Sequence, residues 1–164
     1  MKYNHRINLF IIFIVICISG CAPRPMVTGT IGAIDSKNRL LIATQKSEFK
    51  EAIVSKVVKS FEENNIFIEV IDLANLSNKL TEAYKAIIIL NDYKFFQINR
   101  HAKKFFKNVN DYDRRKIVLL TTAGSPQLMI KSSGFDAISS ASIIENTDTI
   151  SDAIIQKVNI ILSE

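Results

Sequence analysis

Residues 84–90, YKAIIIL, constrain the fold more than any other segment of this 164-residue chain. Successive side chains of a strand point to opposite faces, so Ile87, Ile88 and Ile89 make both faces apolar. A strand buried on both sides belongs in a parallel sheet covered by helices, not in a sheet with one wet face. Residues 39–44 (RLLIAT), 66–73 (IFIEVIDL) and 116–121 (KIVLLT) read as further strands, and 135–142 (FDAISSAS) as a fifth.

Helical spacing fills the intervals. Residues 47–64 place Phe49, Ile53, Val57, Val58 and Phe61 on one face. Ser47 suits the N-cap, Glu48 and Glu51 suit the positive end of the helix, and Asn64-Asn65 ends it. Residues 74–83 are expected as a short helix. Residues 98–109 follow with Ala102, Phe105, Phe106 and Val109 as the apolar set, and 146–162 close the chain with Ile150, Ala153, Ile154, Val158 and Ile161 inward. Strands alternating with helices define an α/β domain whose right-handed crossovers put helices on both faces. In such sheets ligands sit beyond the carboxyl ends of the strands, near the switch in strand order. That rule selects the loops at 44–49, 91–97 and 121–127.

The N-terminus sets location. Lys2, His5 and Arg6 precede an almost wholly apolar run at 8–18, too short to span a bilayer comfortably. The run closes on Ile18-Ser19-Gly20-Cys21, which resembles the lipobox of bacterial lipoproteins. The resemblance implies a signal peptide over 1–20, cleavage before Cys21, and a lipid on that cysteine. Because one acyl chain holds a protein only marginally, a lipoprotein carries more than one. The expected location is the cell envelope, lipid-anchored on the exported side of a bacterial membrane. Residues 21–38, with two prolines and two glycines, read as a tether, and 39–164 as the domain.

Composition excludes several chemistries. The net charge of +5 falls to +3 when Lys2 and Arg6 leave with the signal, which does not indicate nucleic-acid binding. Cys17 lies in the signal and Cys21 is the lipid site, so the domain has no disulfide, thiolate nucleophile or cysteine metal site. His101 is the sole histidine after cleavage, which argues against a zinc site. The pairs Glu62/Glu63 and Asp111/Asp113 read as solvated, and there is no P-loop and no G-x-S-x-G. No catalytic residue and no metal are expected.

The order of elements and the segments RLLIATQKSEFKEAIVSKVVKSFEE, YKAIIILNDYKFFQINRHAKKFFKN and KIVLLTTAGSP resemble the flavodoxin-like family over residues 39–164. The resemblance implies a three-layer sandwich with a five-stranded parallel sheet. It also implies FMN beside Thr44, Lys46, Ser47, Tyr93, Phe95, Thr121, Thr122 and Gly124. The phosphate loop departs from the family pattern. Only Ser47 matches a hydroxyl position, Glu48 stands where glycine is expected, and Phe49 and Lys50 follow. A carboxylate there repels a phosphate. Separately, residues 136–142 (DAISSAS) resemble the motif of exported proteins that carry FMN through a phosphoester, which maps the attachment to Ser142. The expected function is a non-catalytic binding or interaction module, without a cofactor, meeting membrane lipid through Cys21 and an envelope protein or small ligand. The alternative is an FMN-binding electron-transfer protein.

Overall fold

The computed structural model describes residues 28–94, 97–123 and 136–164. Five parallel strands form its spine: β2 (Arg39–Thr44), β3 (Phe67–Asp72), β4 (Ala86–Lys94), β6 (Ile117–Ala123) and β7 (Asp136–Ala141). They lie in the spatial order β3-β2-β4-β6-β7. The chain therefore starts in the interior of the sheet, builds to one side, then crosses β2 and builds to the other.

The sheet is larger than expected and not purely parallel. β1 (Gly29–Ile31), within the segment read as a tether, runs antiparallel along the outer edge of β3, pairing Thr30 with Glu69. β5 (Gln97–Ile98) folds back antiparallel on the end of β4. The result is a mixed seven-stranded sheet in place of five parallel strands. The physical reason is local. An edge strand such as β3 offers unpaired backbone groups, and any extended neighbour pairs with them whatever its side chains. Gly32 lets the chain turn away after β1. Its φ is +90°, and a Cβ there would strike the Ile66 carbonyl oxygen.

The alternating faces of the spine build two cores. On one, Leu40, Ile42, Ile88, Leu90, Val118 and Leu120 meet helix α1 (Glu48–Phe61) and the closing helix, which are also joined by an ion pair between Lys56 and Asp148. α1 contributes Phe49, Ile53, Val57 and Phe61, and Asn65 just beyond it takes the left-handed conformation (φ 51°). On the other, Leu41, Ala43, Ile87, Ile89, Ile117 and Leu119 meet helix α2 (Arg100–Asn108) through Ala102, Phe105 and Phe106. Helix α3 (Asp111–Arg114) is one turn, and α4 (Thr147–Ser163) closes the first core with Ile154 and Val158. All three isoleucines of the central run are at most 1% exposed. The short helix expected at 74–83 is instead two 3-10 turns, Leu73–Asn78 and Thr81–Ala83. Only Leu73 and Leu76 anchor the first, and the Asp72 carboxylate accepts the Ala74 N–H at 2.7 Å. Two apolar anchors and a local cap suffice for a single tight turn, not for a packed helix.

Candidate functional site at the switch in strand order

β2 and β4 are neighbours whose following helices leave to opposite faces, so a crevice opens beyond their carboxyl ends. β2 ends at buried Thr44, and Gln45, Lys46 and Ser47 lead into α1. Ser47 is extended (φ −163°, ψ 146°), and its hydroxyl accepts the Lys50 N–H at 3.2 Å, which makes it the N-cap. Glu48 and Glu51 occupy the first turn and project into solvent.

Lys50 does the opposite. It shares the stripe of α1 that carries Val54, Val57 and Phe61, and it points inward with 1% of its surface exposed. Its ammonium group pairs with the Asp92 carboxylate near the end of β4. Asp92 follows Leu90 and Ile88 on the face covered by α1, so the apolar pattern of β4 turns acidic where Lys50 arrives. β6 lies in register beside it, pairing Asp92 with Thr122. The Thr122 hydroxyl stands 3.1 Å from the Asp92 carboxylate and 3.2 Å from the Asn91 carbonyl, and donates its one hydrogen between them. Asn91, on the other face and fully buried, accepts the Asn99 N–H at 2.9 Å and so fixes the start of α2. Two buried polar atoms at this edge have no partner among the described residues, Asn91 Nδ2 and Gln45 Oε1. Such atoms cost free energy, and functional edges are where folds tolerate them.

The expected site residues fall into four groups. Thr44, Thr121 and Thr122 are at most 3% exposed, so their hydroxyls belong to the sheet edge. Ser47, Lys46 and Tyr93 lie at or just beyond the ends of β2 and β4: Ser47 caps α1, Lys46 is exposed, and half-buried Tyr93 pairs with Ile98. Phe95, Gly124 and Cys21, the expected lipid site, lie outside the described residues. Ser142 is exposed just after β7. Lys50, Asp92 and Asn91 were not singled out by the sequence reading. The available signal was a lysine on the apolar stripe of a helix, and a strand whose buried run ends in Asn-Asp.

Of the carboxylate pairs, Glu62 and Glu63 are exposed as expected, and Asp111/Asp113 differs. Asp111 is solvated, but Asp113 is 2% exposed. It accepts from the Lys116 ammonium at 2.7 Å and from Thr81 and Asn110 at 2.8 Å each. The Lys116 contact chiefly holds its pKa below the ordinary carboxylate value, against burial. Glu69 behaves alike: burial raises its pKa, but the Lys79 ammonium at 2.6 Å and the Tyr84 hydroxyl together lower it. Both clusters brace the fold away from the crevice. A groove of about 580 Å³ opens between α1 and β1, lined by Ile31, Val54, Val58 and Val70 and reaching Thr44 at the end of β2.

No protein-family model matches the chain, and no curated protein matches it in sequence. Solved structures do match in shape. An oxidoreductase from Corynebacterium diphtheriae superposes with TM-score 0.53 at 14% identity, over 79% of this chain and all of its own. Flavodoxin 2 from Bacillus cereus gives 0.51 at 13%, over 73% of this chain and 99% of its own. An archaeal flavodoxin gives 0.50 at 12%, over 76% and 98% respectively. The fold is flavodoxin-like. At these identities the likeness is one of backbone alone, so the chemistry of the flavodoxin-like crevice rests on the side chains described above.

Proposed function

We propose that this chain is a non-catalytic flavodoxin-like binding or interaction module, held on the exported side of a bacterial membrane by acylated Cys21 and working without a flavin. The observation that carries the reading is the Lys50–Asp92 pair. A phosphate dianion at the switch point needs a helix N-terminus with free amides and a net positive surround. Here Ser47 already caps the helix, Glu48 places a carboxylate on the first turn, and the charge of Lys50 is neutralised by Asp92. These residues do not fit the phosphate of FMN. The lipid anchor is supported by the sequence Ile18-Ser19-Gly20-Cys21.

The second reading, an FMN electron-transfer protein, is favoured by the flavodoxins among the structural neighbours. Titrating the purified full chain with FMN and following flavin fluorescence separates the two. We expect no quenching by the parent chain and weak quenching after Glu48→Gly. Tight binding by the parent would place the redox reading first. For the anchor, Cys21→Ser is expected to abolish acylation and leave the precursor uncut. A mature-sized acylated product from that variant would refute it.

A further inference from the structure

We propose that the solvent face of α2 is a docking surface for anionic lipid headgroups. This rests on the reading that Cys21 holds the chain at a membrane, which brings such a surface within reach. α2 buries Ala102, Phe105 and Phe106 against the sheet. Its opposite face presents Arg100, Lys103, Lys104 and Lys107, all exposed and spaced i, i+3, i+4, i+7, which aligns them on one stripe. From Tyr93 to Asn110 the sequence holds no Asp or Glu. Ion pairs among the described residues engage Lys50, Lys56, Lys79, Arg114 and Lys116, and none engages the lysines of this stripe. The Arg100 Nε donates to His101 Nε2 at 3.2 Å, which supplies no counter-charge.

The charge has an apolar companion. Tyr112 and Leu80 are 69% and 73% exposed. Each precedes one partner of a hydrogen bond, the Thr81 hydroxyl donating to Asp113 at 2.8 Å, and the Lys116 ammonium lies 5.0 Å over the Tyr112 ring. Tyr112 follows the stripe in the chain, four residues after α2 ends at Asn108. Lysines for the headgroups and exposed aromatic and aliphatic side chains for the acyl boundary are the combination an anionic bilayer rewards. A nucleic acid would use the lysines but gain nothing from exposed Leu80. The chain is thereby held at two places, Cys21 and α2, and the sheet is oriented relative to the membrane.

The test uses the full chain and vesicles of phosphatidylcholine with or without phosphatidylglycerol. The apolar N-terminal residues enter both compositions, and Lys2 and Arg6 beside them add the same preference to every variant, so the change in the ratio between parent and variant isolates the basic face. We expect a preference for phosphatidylglycerol that fades with salt. Lys103→Glu/Lys104→Glu should cut the ratio at least about 25-fold, at roughly five-fold for each of the two lysines lost, with the repulsion of the two new carboxylates adding to that. Lys37→Glu/Lys59→Glu changes net charge equally at exposed sites elsewhere and should leave the ratio within about two-fold, since distant charges are screened. Equal partition into both vesicles, or equal losses in the two variants, would overturn the proposal. So would tighter retention on duplex DNA or polyglutamate than on phosphatidylglycerol vesicles. Mass spectrometry of Cys21 is read separately: a missing acyl group overturns the anchor and leaves the vesicle ratio as the measure of α2.

Discussion

Replacing Asp92 with Asn tests the organisation of the crevice directly. The substitution keeps the shape of the side chain and an oxygen for the Thr122 hydroxyl, but removes the charge facing Lys50. Lys50 is 1% exposed and Asp92 21%, so the ammonium group is the desolvated partner. Removing one partner of a buried pair costs about 3–5 kcal/mol, because the remaining charge stays out of water. Water reaches Asp92, which argues for the lower end, about 3 kcal/mol. At about 4 °C per kcal/mol for a domain of this size, the melting temperature should fall by about 12 °C. Lys50→Met/Asp92→Asn removes both charges and should recover most of the loss, since an apolar side chain of similar volume then fills the place of Lys50. Thermal unfolding of the full chain by circular dichroism measures all three proteins. A melting point for Asp92→Asn close to the parent value, or no recovery in the double variant, would refute the buried-pair account.

Two further outcomes are expected. Gly32→Ala places a Cβ against the Ile66 carbonyl at a positive φ, which costs at least about 1–2 kcal/mol from the backbone conformation alone; urea unfolding should show the loss, and an unchanged midpoint would mean that β1 does not pair with β3. Asp113 has a folded pKa below its unfolded value, so its contribution is present above the unfolded value and is lost as pH falls through the folded one. Parent stability should therefore decline below about pH 5 more steeply than that of Asp113→Asn, Glu69 contributing equally to both; parallel urea-midpoint curves would show that the Asp113 cluster does not form.

Much of the spine was legible because its signals are local. The alternation of apolar strands with amphipathic helices depends only on neighbours in sequence, and 39–44, 47–64, 84–90 and 146–162 carry it strongly. The structure places the corresponding strands and helices within a few residues of those bounds. The segment at 74–83 was ambiguous because two leucines and a capping aspartate serve a 3-10 turn as well as a helix. β1 was illegible: Gly29, Thr30 and Ile31 have no strand pattern, and what holds them is the open edge of β3 forty residues on.

The crevice divides along the same line. Sequence alone determined that an α/β sheet would bury its central isoleucines on both faces. It also determined that a capped helix would follow the first of the parallel strands. These follow from side-chain periodicity and backbone chemistry within a few residues. Tertiary structure alone decided that Lys50 turns inward, that Asp92 from 42 positions away meets it, and that Thr122 on a third strand supports the pair. It likewise decided that Asp113 is buried while Asp111 is not. Whether a charged side chain is solvated or paired depends on which distant groups the sheet order brings alongside it, and periodicity carries no information about those partners.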